Sequence, residues 1–357
     1  MTSRFRTLPT LLVLAILCLS NPVSGETTKR ALSTKSLPRD ASGVLWREPT
    51  DIASRDLLYG AGGRKHEPKG PFRFVKEDMG GSNPKFVIED ARGTRWKVKL
   101  GPEVKSETAA TRLLWAVGYF TDEDYFLPQL VVQEMKKLKR GQKFVSNEGT
   151  IRGARLERQE ASVKKIGNWS WSDNPFVGRR ELTGLKVMMA LINNWDLKKS
   201  NNDIYQIGQE RFYLISDLGA TFGNCSNTGR SKANLKAYTH SKFLREVTPE
   251  EVDIRVPSRP PWWFVFAMPL YIQRTRASGL GNDLPRADVQ WIGQLLARLS
   301  DQQLADTFRG AGFTRAEVDG FSQKMRERIT ELNRLNSPLE KGQRRTVTAQ
   351  RMSATVR

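Results

Sequence analysis

Alternating apolar and polar positions predict a small antiparallel sheet near the start of the folded part of the chain. The segment 95–100 (RWKVKL) places its apolar side chains on one face and Lys97 and Lys99 on the other. Two shorter apolar runs, 72–75 and 85–89, precede it, and turns rich in Gly, Pro and Asn separate the three segments. Three strands joined by such short turns form a meander.

A helical period follows the predicted meander. Apolar residues recur every three or four positions over 103–117, and Gly118 provides a helix end. Glu107 lies on the mostly apolar face of this predicted helix. A carboxylate in that position is expected to need a cationic partner.

The rest of the chain is mainly helical in its patterning. A helix ending near Ile192 leads into Asn194-Trp195-Asp196, and a short strand over 212–215 leads into Asp217-Leu218-Gly219. Two long apolar stripes follow, over 289–299 and 318–332, and capping boxes begin at Ser300 and Thr314. Strands with one helix, followed by helices, predict an α+β fold with a strand-rich N-lobe, a helical C-lobe and a cleft between them.

The N-terminus has the pattern of a secretory signal peptide. Basic residues precede a 12-residue apolar run, and small residues follow at 23–25. A buried N-terminal helix and a lipoprotein signal at Cys18 are the alternatives. We therefore expect an exported protein, periplasmic or secreted, with no membrane span in its mature form. The expected organisation is a signal peptide (1–25), a polar linker (26–69), an N-lobe (70–160), a C-lobe (161–336) and a disordered basic tail (337–357).

Composition narrows the classes of partner. Among 357 residues, 58 Lys and Arg face 38 Asp and Glu, which gives a formal net charge of +20. This balance favours anionic partners such as phosphate-bearing ligands or an anionic surface. Nucleic acid is not an expected partner, because no helix-turn-helix, zinc-finger or aromatic single-strand motif occurs. Two Cys and two His argue against a disulfide scaffold and a histidine-built zinc site.

Three polar residues after the first long helix of the C-lobe have a spacing suited to a hard cation. Asn201 follows Asp196 by five positions, and Asp217 ends a strand sixteen positions later. Oxygen donors of this kind bind Mg²⁺ together with substrate phosphates. Asp196 alone is more typical of a turn residue, so the prediction depends on the set.

These residues resemble the protein-kinase-like superfamily. The segment 196–201 (DLKKSN) matches the D-L-K-x-x-N part of the kinase catalytic loop, and 217–219 (DLG) matches the metal-binding D-x-G. Asn194-Trp195-Asp196, without the H-R of typical kinases, is more similar to the atypical branch of HipA-type and phosphoinositide-kinase-like proteins. The resemblance spans residues 70–336.

The resemblance implies a role for each residue of the second lobe. Asp196 would accept the proton of an acceptor hydroxyl or orient it, and Lys198 would neutralise the transferred phosphoryl group. Asn201 and Asp217 would hold Mg²⁺ against the phosphates of ATP.

The resemblance also assigns residues of the strand-rich lobe. Lys99 would bind the ATP phosphates and pair with Glu107, and Lys97 on the same face is the alternative. The loop Gly80-Gly81-Ser82 lies where kinases cover the phosphates, but a simple hairpin turn has the same composition. Candidates for the adenine pocket are Val131, Val132 and Leu156.

Together these features predict an exported kinase-like phosphotransferase. It would move the γ-phosphoryl group of ATP to a hydroxyl acceptor, protein or lipid, with Mg²⁺. The alternative is a catalytically silent kinase fold that binds a nucleotide, a peptide or a polyanion.

Overall fold

The described structure begins with a segment that the sequence patterning assigns to a linker. In a computed structural model of the protein, strand β1 (Gly43–Val44) pairs with a strand far along the chain, and Leu45, Ile52 and Leu57 are buried. Their apolar side chains join the larger of the hydrophobic cores. These residues are too widely spaced in the sequence to produce a helical or strand period, which is why the pattern is that of a linker.

The structure describes residues 43–160, 162–226, 229–257, 277, 279–337 and 345–346. The predicted signal peptide and most of the predicted basic tail lie outside these residues. Within the tail, Arg345–Thr346 forms a short strand. Among the described residues, no helix combines the length and the apolar character that crossing a membrane requires.

The first lobe is a closed barrel of five strands with one helix. The predicted meander supplies three of the strands, and a later hairpin supplies the other two. Helix α1 (Val104–Ala116) follows the third barrel strand and contributes residues to the core of the second lobe. The barrel strands are β2 (Phe72–Asp78), β3 (Lys85–Glu89), β4 (Arg95–Lys99), β5 (Asp124–Gln133) and β6 (Thr150–Gln159), in the order β2-β3-β4-β6-β5.

The second lobe combines helices with a four-stranded sheet in the order β1-β9-β8-β7. Its sheet and its helices share the core that also holds Leu45 and the apolar face of α1. In chain order its elements are β7 (Lys164–Asn168), α2 (Arg180–Leu191), β8 (Asn202–Ile207), β9 (Glu210–Ile215), β10 (Cys225–Ser226), β11 (Gly229–Arg230), α3 (Leu235–Thr239), β12 (Leu244–Val247), β13 (Glu251–Ile254), β14 (Leu284–Pro285), α4 (Arg286–Ala297), α5 (Asp301–Arg309), α6 (Arg315–Asn333) and β15 (Arg345–Thr346).

The predicted fold class is confirmed. The fold is α+β with two lobes, the first strand-rich around one helix and the second carrying most of the helices. Both predicted capping boxes form, at the starts of α5 and α6. The patterning did not predict β6, because Arg155 and Glu157 break its apolar alternation although both are buried.

A buried arginine of α6 fixes the end of α2, from which the Asp196 loop departs. Arg328 is fully buried, and its guanidinium donates to the carbonyl of Leu191 at 2.5 Å and to Asn193 Oδ1 at 3.0 Å. A third bond reaches the hydroxyl of Ser241 at 2.6 Å, and the ring of Tyr238 lies 4.2 Å below the guanidinium carbon. Arg328 thus satisfies carbonyl groups that the end of a helix otherwise leaves without donors.

Replacing this arginine should destabilise the second lobe. We expect Arg328→Met to lower the free energy of unfolding by about 3 kcal/mol, because several buried acceptors lose a charged donor. Urea denaturation followed by circular dichroism measures this. Arg315→Met, at an exposed position on the same helix, should change stability by less than about 0.5 kcal/mol. Equal effects of the two substitutions would contradict the role given to Arg328.

Candidate functional site

The strand–helix pair of the first lobe forms the ion pair that its sequence predicts. Lys99, the last residue of β4, reaches Glu107 on α1, and its Nζ lies 2.7 Å from Oε2 of that carboxylate. Both side chains are almost completely buried. Lys97, on the same face of β4, forms an ion pair with Glu157 on β6 instead. Of the two candidate lysines, Lys99 is therefore the one in contact with Glu107.

Lys99 is bound by three carboxylates, one of which the sequence analysis did not identify. Besides Glu107, its Nζ lies 2.7 Å from Oε2 of Glu103 and 3.2 Å from Oδ1 of Asp217. The available signal for Glu103 was its spacing, since it lies four positions from both Lys99 and Glu107. Residues four apart share one face of a helix. The three carboxylates offer oxygen atoms within 4.8 Å of one another.

Further cations complete the charge balance of this cluster. Lys232 forms an ion pair with Glu103, and Arg155 on β6 approaches Oε1 of Glu107 at 3.7 Å. Three carboxylates are therefore met by three cations. Burial alone lowers the pKa of Lys99, but the charges of Glu107, Asp217 and Glu103 outweigh it and raise that pKa above its usual value.

Asp217 differs from the other two carboxylates in its access to solvent. Its side chain is 39% exposed, against 7% for Glu103 and 2% for Glu107. Burial acts to raise the pKa of Asp217, but the charge of Lys99 and the backbone N–H of Gly219 outweigh it and lower the pKa. Asp217 is thus ionised at neutral pH and is the member of the cluster most accessible to a ligand.

Gly219 of the D-L-G turn is required by close packing. A Cβ atom at this position would lie 2.5 Å from Oε2 of Glu103, well inside van der Waals contact. Any larger residue would therefore displace the carboxylate that binds Lys99. The glycine lets the turn that carries Asp217 approach the start of α1.

The loop after α2 holds Asp196 in a defined conformation. The side-chain carbonyl of buried Asn194 accepts a bond from the backbone N–H of Asp196 at 3.0 Å. Nδ2 of Asn201 donates to the backbone carbonyl of Asp196 at 2.8 Å, which closes the loop from its other end. Nζ of Lys198 lies 2.8 Å from Oδ2 of Asp196. The two residues predicted as catalytic, Asp196 for the acceptor hydroxyl and Lys198 for the transferred phosphoryl group, are thus in direct contact.

The predicted metal ligands lie on neighbouring segments. The backbone N–H of Ser216, next to Asp217, donates to the carbonyl of Asn201 at 2.8 Å. Asn201 binds Asp196 through its amide nitrogen, so its amide oxygen is not used in that contact. An ionised carboxylate and an amide oxygen are donors that suit Mg²⁺. Glu103 and Glu107 fit a metal less well, because each already has two cationic neighbours.

The glycine loop between β2 and β3 contacts the Lys99 cluster through its last polar residue. Asn83 donates from its side chain to Glu103. Gly80, Gly81 and Ser82 are exposed, and the N–H of Gly80 is already bonded to the Asp78 carboxylate at 2.8 Å. Arg140 donates to the carbonyls of Gly80 and Gly81. These contacts hold the loop beside the cluster without placing its three predicted residues in contact with Lys99.

A cavity of about 480 Å³ is lined by residues next to those of the cluster, although no residue of the cluster itself lines it. Lys97 and Asp203 both line it. Lys97 lies two residues before Lys99 on β4, and Asp203 on β8 lies two residues after Asn201. The proposed adenine contacts are not part of it, since Val132 and Leu156 are buried inside the barrel and Val131 is exposed. Further lining residues are Glu157, Val163, Tyr205, Phe212 and Leu214.

Solved structures to which the chain is similar include kinases. The chain is similar to the Helicobacter pylori proinflammatory kinase CtkA, at 10% identity over 73% of this chain and 96% of that one, with a TM-score of 0.42. It is also similar to the Golgi casein kinase, at 10% identity over 75% and 74% of the two chains, with a TM-score of 0.37. For the structure of the Golgi casein kinase with Mn/ADP bound, the identity is 10% over 76% of this chain and 74% of that one, with a TM-score of 0.36. No protein-family model and no curated protein matches the chain.

Replacing Lys99 should make the protein more stable when the pH is lowered. An ordinary carboxylate, whose pKa is lowered by folding, would have the opposite effect. Burial already raises the pKa of Glu107 against the opposing charges of Arg155 and Lys99, so in Lys99→Met the loss of one of these cations raises that pKa further above its value in the unfolded chain. Protonation then favours the folded state. We expect the free energy of unfolding to increase by about 1 kcal/mol from pH 7 to pH 5, beyond any change in the wild type.

Chemical denaturation at several pH values tests this expectation. Lys136→Met, which removes an exposed lysine, should follow the wild-type pH dependence. A Lys99→Met variant whose stability falls or stays constant on acidification would show that Lys99 does not neutralise the cluster.

Proposed function

We propose that the protein is a phosphotransferase that moves the γ-phosphoryl group of ATP to a hydroxyl acceptor. One observation carries this proposal. A buried lysine on a barrel strand contacts both a helix glutamate and the aspartate of a D-L-G turn, at 2.7 Å and 3.2 Å. Phosphoryl transfer requires mainly positioning and neutralisation of charge, and this cluster is built from the groups that supply both.

Lys99 would bind the phosphates of ATP, and Glu107 would position it. Because burial and Glu107 leave Lys99 few alternative positions, its ammonium is held in place before a ligand arrives. Asp217 and Asn201 would hold Mg²⁺, which when bound neutralises charge on the phosphates. The lowered pKa of Asp217 keeps its carboxylate ionised for that purpose.

Asp196 would receive or orient the proton of the acceptor hydroxyl. Its carboxylate is 22% exposed and is fixed by bonds from Asn201 and Lys198. Lys198 would turn from Asp196 to the transferred phosphoryl group as negative charge develops there. The Lys198 side chain is 42% exposed, so it has room for this movement.

The base of the nucleotide would enter the cavity beside Lys97. Tyr205 and Leu214 offer apolar surface to a planar ring, and the Lys97–Glu157 pair and Asp203 offer polar atoms to its edge. A base in this position would extend from the Lys99 cluster along the same face of β4.

Asn194, Asp196 and Asn201 support assignment to the atypical branch of kinase-like proteins, of HipA or phosphoinositide-kinase type. Asn194 fixes the backbone of Asp196 at 3.0 Å, where typical kinases carry a histidine and an arginine before the aspartate. A protein hydroxyl or a lipid hydroxyl is the acceptor class we propose.

Turnover by the purified protein tests the proposal. With Mg²⁺ and ATP we expect ADP formation, and Asp217→Asn should lower its rate by at least about 10²-fold because the metal loses its charged ligand. Asp196→Asn should lower the rate by about 10²- to 10⁴-fold with little change in ATP affinity. Asp319→Asn, an exposed change on α6, should retain the wild-type rate.

The same experiment separates a catalytic protein from a silent one. Saturable ATP binding with no turnover in wild type, lost in Lys99→Met, would indicate a binding module with a kinase-like fold. If the wild type shows no ATP binding and no turnover, both versions of the proposal are contradicted.

We also propose export through the N-terminal segment. The basic residues, apolar run and small residues at 23–25 support it. Expressed from its full gene, the mature protein should begin at or within a few residues of Glu26 by N-terminal sequencing, and deletion of residues 2–25 should retain it in the cell. Recovery of an exported chain that still begins at Met1 would contradict cleavage.

A further inference from the structure

A second cavity, of about 580 Å³, lies against α1 on a face different from that of Glu107. It is bounded by the turn before the barrel, by β5 and β6, and by the segment after α5. Four of its lining residues are cationic and one is acidic. These residues are Lys105, Arg112, Arg152, Arg309 and Glu67.

Arg112 of α1 is buried in the wall of this cavity without a counter-ion. Arg112 is 3% exposed, and no carboxylate of the described residues forms an ion pair with it. Its Nε and Nη1 atoms are buried and have no hydrogen-bond partner among the described residues. Burial lowers the pKa of Arg112 to about 10, although Asp124, Tyr125 and Asp56 oppose the shift.

A buried, unpaired guanidinium is costly enough to call for a ligand. Desolvation of such a group is unfavourable by several kcal/mol unless hydrogen bonds and an opposite charge compensate it. Arg112 is closely flanked by two glycines, since a Cβ at Gly310 would overlap its Nη1 and one at Gly60 would lie 3.1 Å from its Cγ. The surrounding backbone is thus shaped to admit the guanidinium, while Asp124 and Asp56 act on it only from beyond ion-pair distance.

The other cations of the cavity indicate the charge of the missing group. Arg309 is neutralised by Asp306, but Lys105 and Arg152 have no ion pair among the described residues. Lys105 is the second residue of α1, and its Nζ lies 5.5 Å from the ring centre of Phe313. Together with Arg112 these residues offer three positive charges against the one acidic lining residue, Glu67, which leaves two positive charges, more than a single carboxylate would balance. A divalent oxyanion matches them better.

We propose that this cavity binds a phosphoryl oxyanion, as inorganic phosphate or as the phosphate of a phosphorylated serine or threonine, through Arg112, Lys105 and Arg152. Because Nε and Nη1 of Arg112 are closed to solvent, a phosphoryl oxygen would meet the guanidinium at the small part of Arg112 that lines the cavity, and the two outer cations would attract and orient the anion. Because Arg112 and Glu107 belong to the same helix, an anion at this cavity would also hold the helix that positions Lys99. The site itself does not depend on the proposed transfer reaction.

Thermal unfolding of the whole protein tests the proposal, with a chelator present and without nucleotide. Under these conditions no divalent cation can bridge phosphate to Asp217 and Asn201, and Arg112→Met, which leaves the Lys99 cluster intact, reports any phosphate that binds at that cluster. Inorganic phosphate at constant ionic strength should raise the wild-type unfolding temperature by about 2 °C or more relative to chloride. Arg112→Met should remove this response and, in chloride, should unfold at a higher temperature than the wild type because a buried charge has gone.

Two further variants keep the test decisive if Arg112→Met does not fold. The double variant Lys105→Gln/Arg152→Gln should weaken phosphate binding at least about tenfold in a calorimetric titration. Lys136→Gln/Lys137→Gln removes the same charge at exposed positions outside the cavity and should bind like the wild type. Equal loss in both double variants, an unchanged response in Arg112→Met, or no response in the wild type would overturn the proposal.

A titration with a phosphoserine peptide and its unphosphorylated form distinguishes the two sources. Tighter binding of the phosphopeptide than of inorganic phosphate assigns the site to a phosphorylated chain, and weaker binding assigns it to the free ion. Equal binding of the peptide with and without its phosphate would overturn the proposal.

Discussion

The ammonium of Lys99 is the charge on which the arrangement of the candidate site depends. It is removed from water and is compensated by carboxylates from two segments, Glu103 and Glu107 at the start of α1 and Asp217 in the D-L-G turn. A buried lysine without such partners would lose its proton or destabilise the fold. The strand, the helix and the D-L-G turn must therefore come together for any one of them to be stable. The same requirement creates a site with concentrated and balanced charge.

A network of buried ion pairs centred on Arg155 links Glu107 to the strands of the barrel. Arg155 binds Asp124 at 2.6 Å and Glu157 at 3.0 Å, and it approaches the carboxylate of Glu107 from the side opposite Lys99. Glu157 in turn pairs with Lys97 at the adjoining cavity. Acidic and basic groups thus alternate from the proposed base pocket to the proposed phosphate site. Such networks are costly when partly satisfied and rigid when complete.

Local patterning was enough to predict the parts of the site that depend on short-range order. The alternation in β4 put Lys97 and Lys99 on one face, the helical period put Glu107 on an apolar face, and the resemblance to kinase-like proteins favoured Lys99 as the partner of Glu107. The spacing of Asn201 and Asp217 indicated a shared site. Arg155 was not predicted, because its role depends on the pairing of β6 with β4 and β5, which is set by contacts distant in the sequence. The first described segment was missed for the same reason, since its few apolar residues find their partners far along the chain.

Helix α1 belongs physically to both lobes. Ala109, Leu113 and Leu114 lie in the core that the second lobe provides, and Glu107 is tied to a strand of the first. If the lobes moved apart, α1 would stay with one of them. It would then lose either its apolar packing in the second lobe or the buried ion pair between Glu107 and Lys99. Here α1 connects the lobes, since it is packed in the core of one and ion-paired with a strand of the other. Wide separation of the lobes would therefore cost either that packing or that ion pair, which favours entry of the proposed ligand by local movement beside Lys99.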